Sequence, residues 1–398
     1  MFYLYIFLIL TGLAFYEILF NPKDKNRLYF CVFVLLTFIS GFRYETGVDW
    51  VAYEYEMDRA ISLSDAITYD KWEWLSNRLD FGYSILMALI KMIGGGIQTL
   101  FFVVAFLTQY LLYLNLKRYS AYVLFSYLVY YTFFFFIFDL SGIRQALAIQ
   151  IFLYSIRFIN EKKFSKYLLY IILATSIHWT AIVLIFLYLF INKRVSGIVT
   201  IIIIIFSTSV FTAKLEWLGI VMGDILAKVN SYSLLEAKVK GYTTYDQFAK
   251  ERGWNAYSIY TYLKLIVILF LTYVNRDKIK ENLPSVNIFY NLAIMEFICI
   301  YTFYEFYEMS ERFKFYFLIS EVILFSHILY IMYPRYKKQM LSVSFVIIVF
   351  FNSYIYLLGY PTAVAYNPYQ NYLYYKAMDK KSDGYQRFRK HIQVSGGE

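Results

Sequence analysis

The feature that most constrains this chain is its run of apolar stretches, such as residues 198–215, 288–306 and 340–360. Each is close to the roughly 20 residues that cross a bilayer's hydrocarbon core. Ionisable residues interrupt the pattern at the ends of these stretches, at Arg43, Asp49, Arg144, His178, Glu311 and Arg312. Charge at membrane depth is costly, so each of these positions is a functional candidate. Hydrophobic residues make up 60% of 398, too apolar for a soluble chain of this size. The expected fold is all-α: a polytopic integral membrane helical bundle in one membrane domain, with about ten to twelve crossings and re-entrant pieces.

Charge placement orients the spans. Basic residues gather in short loops, as at Lys23, Lys25 and Arg27, at Lys162, Lys163 and Lys166, and at Lys193 and Arg194. That is the positive-inside pattern, so the net charge of +10 orients the chain and does not point to nucleic acid. With those loops inside, residues 2–20 form a retained first span, lacking the basic start and cleavage site of a signal peptide. Residues 27–42, 97–116, 121–140, 143–159, 198–215, 257–274, 288–306, 311–332 and 340–360 complete the crossings. Segments 43–96 and 216–256 lie outside. The part 43–80 holds nine acids and four bases, which suits that side. The tail 361–398 falls outside too, although its six bases against three acids pull the other way.

Two segments do not thread as simple crossings. Residues 81–93 are short and end at Gly94-Gly95-Gly96, which reads as an interfacial or re-entrant helix. Residues 164–191 have cytoplasmic-type charge at both ends, yet two full crossings need about 40 residues. A broken, re-entrant hairpin with its tip near Ser176-Ile177-His178-Trp179 resolves the conflict. The aromatic content of 22% is read mainly as lipid-facing surface and interfacial belts. Cys31 and Cys299 fall in apolar spans and read as small hydrophobes. Three histidines without a Cys, His or Asp cluster give a metal site no support, and no cofactor is expected.

Four blocks carry candidate chemistry. Arg43-x-x-x-Gly47-x-Asp49-x-x-x-Tyr53 follows a span; its arginine suits a phosphate or carboxylate, and an interfacial anchor would look the same. Gly142-Ile143-Arg144-Gln145 opens a helix, where free N–H groups backed by a guanidinium make an anion site. A snorkelling arginine is the bland alternative. His178-Trp179-Thr180-Ala181 offers a base, or a satisfied core histidine. Glu311-Arg312 offers a carboxylate beside an arginine, or a structural ion pair.

The order of these blocks resembles the Wzy-type polysaccharide polymerases of the EpsG-like family. The likeness rests on Arg43 through Gly47 and Asp49 to Tyr53, on Asp80-Phe81-Gly82-Tyr83, on Arg144, Gln145 and Ala148, and on His178, Thr180 and Ala181. The second block departs from the family's more frequent Glu-Pro-Gly, and the likeness fades after residue 181. The resemblance implies a GT-C-like bundle that polymerises glycan repeat units carried on undecaprenyl diphosphate, at the outer face of the bacterial inner membrane. A chain-length regulator and a flippase are the implied protein partners. It implies diphosphate or substrate binding by Arg43, Arg144, Gln145, Arg312, Tyr53 and Asp80, and catalysis by Asp49, His178, Arg144 and Glu311. An O-antigen ligase shares this chemistry. A lipid-linked glycan flippase would show matching halves and midplane charges, and a membrane acyltransferase would rest on its histidine alone.

Overall fold

A computed structural model describes residues 2–71, 80–215, 253–332 and 363–394, and its regular elements are helical, apart from an isolated bridge between Arg43 and Asn371. The helices are α1 (Phe2–Phe20), α2 (Lys25–Gly41), α3 (Trp50–Asp58), α4 (Leu63–Thr68), α5 (Phe81–Met92) and α6 (Ile97–Tyr119). They continue as α7 (Val123–Tyr130), α8 (Ile143–Asn160), α9 (Phe164–Ile177), α10 (Gly197–Ala213), α11 (Ala256–Val274) and α12 (Arg276–Asn282). The last are α13 (Val286–Tyr301), α14 (Tyr307–Met332), α15 (Ala363–Tyr366), α16 (Tyr372–Ala377) and α17 (Gly384–Val394). Among the described residues, α1, α6, α11 and the Met309–Met332 part of α14 are long and apolar enough to cross a membrane, and shorter apolar helices stand beside them. The chain is a polytopic helical membrane protein. Residues 216–252 and 333–362, most of the second outer segment and the last expected span, lie outside the described residues.

The expected break in 164–191 is present. Helix α9 stops at His178, and a 3₁₀ helix, Trp179–Leu189, runs back beside it. Tyr167 donates to the Leu184 carbonyl at 2.5 Å, and the rings of Phe164 and Tyr188 meet at 4.9 Å. The unequal legs match in length. Fourteen α residues rise about 21 Å at 1.5 Å each, and eleven 3₁₀ residues about 22 Å at 2 Å each. Both fall short of the ~30 Å core, as a re-entrant hairpin must.

The span expected at 121–140 is built differently. After α7 the backbone widens into a π-helical stretch, Tyr131–Asp139, before turning at Leu140–Ser141. Tyr127, Tyr130, Tyr131, Phe134 and Phe135 are buried there, with Tyr130 stacked on Phe134 at 5.2 Å. This corrects the lipid-facing reading of the aromatics: in this part of the chain, rings fill the core. Intramembrane acid is also put to structural use. Glu17 of α1 is buried, takes the Tyr29 hydroxyl at 2.5 Å, and accepts the N–H of Leu124 at 2.7 Å. It therefore caps the start of α7, where backbone donors lack intrahelical partners.

The described residues fall into two compact units. The first comprises those of Met1–Ser155, Leu168–Ile182 and Leu329–Glu398, and the second Ile156–Tyr167 and Val183–Ile328. In the first, α2 packs along α6 and α1 along α7; in the second, α13 packs against α10 and α11.

The C-terminal segment folds over the loop after α2. Tyr44 N–H donates to Gln370 O and Tyr372 N–H to Phe42 O, both at 2.8 Å. Arg387 donates to Glu45 O at 3.0 Å and to Ala365 O at 3.2 Å, while Trp50 meets Tyr385 edge-on at 4.8 Å. The tail and the acidic loop thus share one side. An acid of that loop meets the tail directly: the Tyr385 hydroxyl donates to Glu54.

Candidate functional site

The loop opening with Arg43 is fixed by backbone constraints. Gly47 has φ +113°, a conformation that side chains resist, and a Cβ there would stand 1.8 Å from the Leu140 carbonyl oxygen. The loop thus presses onto the turn before α8. Val48 N–H donates to Ser141 Oγ at 2.9 Å, and Ser141 Oγ also contacts the Tyr366 hydroxyl at 2.8 Å. Arg43 is completely buried beneath this contact. Its Nη1 donates to the carbonyls of Ser40 at 2.8 Å and Asp139 at 2.9 Å, and its guanidinium lies 3.8 Å from the Phe101 ring centre. Burial pulls its pKa down to about 10, so it stays cationic at neutral pH.

Arg144, in the first turn of α8, is the centre of a cage. Its Nη1 lies 3.2 Å from Asp80 Oδ2 and 3.8 Å from Glu56 Oε1. The rings of Tyr53 and Tyr83 each stand 5.5 Å from its guanidinium carbon. Burial, opposed by the nearby Arg144 charge, lifts the Tyr53 phenol to about 12, so it is a neutral hydroxyl at working pH. The Arg144 side chain is 30% exposed, so the arginine is not sealed within the core.

Asp80 ties the cage to the hairpin tip. One oxygen faces Arg144; the other, Oδ1, accepts the Trp179 N–H at 2.9 Å. The Asp-x-Gly spacing explains how. Gly82 sits so close to the end of α9 that a Cβ would lie 2.3 Å from Ser176 Oγ and 2.8 Å from Ser176 Cβ. Only glycine lets α5 approach this near, and that approach brings Asp80 to the backbone just past His178.

The expected site residues divide accordingly. Arg43, Asp49, Tyr53, Asp80, Arg144, Gln145 and His178 all belong to the first unit. Asp49 starts α3 at the surface and acts electrostatically on Tyr53 and Tyr366, whereas Gln145 and His178 are buried. Glu311 and Arg312 belong to the second unit, where Glu311 pairs with Lys314 at 2.5 Å. The sequence reading missed Glu56, Phe101 and Asp139, and gave Tyr83 a place in a motif but no role. Glu56 had a legible signal: it lies three residues after Tyr53 in α3, hence on the same helix face.

A family model matches residues 26–372, most of the chain, and its description is the EpsG family. The chain belongs to the EpsG family. Membership carries a polymerase-like, glycosyltransferase-like role in exopolysaccharide synthesis. The match also extends beyond residue 181, where the motif resemblance fades, through α13 and α14 to the segment that covers the Arg43 loop. No curated protein and no solved structure matches the chain.

Proposed function

We propose that the chain polymerises oligosaccharide repeat units carried on undecaprenyl diphosphate. It moves the growing glycan from its lipid carrier onto the sugar of a fresh lipid-linked unit at the outer face of the bacterial inner membrane. The observation that carries this reading is Arg144: a partly exposed arginine at a helix N-terminus, gripped by Asp80 and Glu56 and flanked by two tyrosines.

In the transfer, the bond from the anomeric carbon to the phosphate oxygen breaks and its electron pair stays on the diphosphate. A fixed cation and first-turn N–H groups stabilise that developing charge. The acceptor hydroxyl attacks the anomeric carbon and gives up its proton, to Asp49 at the surface or to His178 at the hairpin tip. Asp80, with both oxygens engaged, acts as a positioning residue that holds Arg144 and the tip in register. Arg43 braces the loop and the α8 turn from below.

Replacing Arg144 tests the reading. Arg144→Ala removes the cation, and Arg144→Lys keeps the charge but loses the planar fork. Both variants are expected to reach the membrane at normal levels and to leave the lipid-linked repeat unit unpolymerised. Normal long-chain glycan from Arg144→Ala would overturn the proposal.

A further inference from the structure

Three ionisable side chains from three helices meet inside the second unit: Lys264 of α11, Glu296 of α13 and Glu321 of α14. Lys264 Nζ lies 2.7 Å from Glu321 Oε2, with side chains 9% and 0% exposed. Glu296, also buried, lies against Glu321 and Lys264. Adjacent like charges in a low-dielectric interior do not both persist. The wider neighbourhood gives the same proton count. Facing the pair are Lys264 and Tyr260 from α11, Cys299 from α13, and Lys314 from α14; α10, which packs on α13, brings no titratable side chain. Lys264 pairs with Glu321 and Lys314 with Glu311, which leaves Glu296 no ammonium of its own and favours its keeping a proton.

The cluster also lines up with more exposed groups on α14. Glu311, Lys314 and Glu321 are spaced three and seven residues apart on α14, so they lie along one helix face. Glu311 and Lys314 pair at 2.5 Å near the start of the helix and are partly exposed, at 15% and 11%. Glu321 lies ten residues further on, about 15 Å along the axis or about half the hydrocarbon thickness. Acids at this depth on a lipid-facing surface would be prohibitive, and as a merely structural pair two glutamates serve no better than one.

We propose that Glu296 and Glu321 form a proton-binding site: a carboxyl pair that holds one exchangeable proton opposite Lys264 and is reached from the Glu311 end of α14. The proton comes from water at that end and returns to it, so no other reactant is involved. The site stands apart from the Arg144 chemistry and does not depend on the polymerase reading.

Infrared difference spectroscopy on the purified full-length protein in nanodiscs at neutral pH tests this. A carbonyl band of a protonated carboxyl is expected in the wild type, shifting in deuterated buffer. It should vanish in Glu296→Gln and in Glu321→Gln alike, because the carboxyl left behind ionises against Lys264. Lys264→Met is expected to add a second protonated carboxyl, an effect that simple loss of a structural ion pair does not produce. Glu311→Gln is expected to slow the deuterium shift of the band. A wild-type spectrum indistinguishable from that of Glu296→Gln would overturn the site, as would loss of the band in Lys264→Met. An unchanged exchange rate in Glu311→Gln would overturn the entry route. Glu296→Gln keeps the size and neutrality of the protonated form, so the test survives if Glu321→Gln fails to fold.

Discussion

Replacing Gly82 with alanine probes how the site is assembled. The new methyl would stand 2.3 Å from Ser176 Oγ, 2.8 Å from its Cβ and 3.0 Å from its carbonyl oxygen. The hydroxyl can rotate away at the cost of its 2.8 Å bond to the Leu173 carbonyl, but the Cβ and the carbonyl cannot move independently of α9. Ordinary contact begins near 3.4 Å, so α5 and α9 must part by roughly half an ångström or more, with an overpacking cost of about 1–3 kcal/mol. Asp80 sits two residues upstream, and its bonds of 2.9 Å to Trp179 and 3.2 Å to Arg144 would stretch past the hydrogen-bonding range. Misplacing a catalytic group by about 1 Å costs on the order of 100-fold in rate, and half that displacement points to a loss of about tenfold. The assay is chain extension by reconstituted protein, with folding followed by size-exclusion profile. Gly82→Ala is expected to stay folded and extend about tenfold more slowly, and adding Ser176→Gly, which removes the two closest contacts, is expected to restore most of the rate. A Gly82→Ala protein with wild-type extension would refute the reasoning, because Asp80 would then not depend on this approach.

Other variants report on separate parts of the account. Gly47→Ala combines a left-handed backbone with a 1.8 Å approach to a carbonyl; it is expected to lower the unfolding temperature sharply in detergent, and an unchanged temperature would remove the loop from the framework. Asp80→Asn keeps an acceptor for the Trp179 N–H while removing the charge facing Arg144, so it should fold normally and lose activity, whereas Asp80→Ala should lose stability as well, by about 1–3 kcal/mol for the stranded N–H. Arg387→Ala removes the bonds to Ala365 and Glu45 carbonyls and is expected to expose the C-terminal segment to protease; equal digestion of variant and wild type would contradict its role as a strap. In a cysteine-free background, Ser64→Cys and Gln386→Cys, both exposed, should label from one side of the membrane and Ser196→Cys from the other.

Much of the scaffold was legible because hydrophobic length and loop charge are local properties. The hairpin with its tip at His178 followed from a conflict between the two: basic charge at both ends of a segment too short for two crossings. The Asp-x-Gly block was visible, but its purpose was not. That glycine answers to Ser176, 94 residues away in the chain, and only the packed structure shows the pairing. Arg43 reads from sequence as a phosphate or carboxylate ligand or an interfacial anchor because it follows a span; burial under the Gly47 turn depends on contacts with Leu140 and Ser141 that spacing does not encode. Lys264, Glu296 and Glu321 lie on three separate helices, so their convergence lies beyond any reading of one segment at a time. The aromatic run at 130–138 misled for a related reason, since composition cannot distinguish a ring that faces lipid from one that faces another helix.

The most direct test of the central claim is to reconstitute the purified protein with a lipid diphosphate-linked repeat unit, add no nucleotide sugar, and resolve the glycan by gel. The account calls for a ladder of repeats that is lost in Arg144→Ala. An unchanged lipid-linked unit, from protein that is folded and embedded in the bilayer, would contradict it and turn attention to a flippase or to a ligase lacking its acceptor.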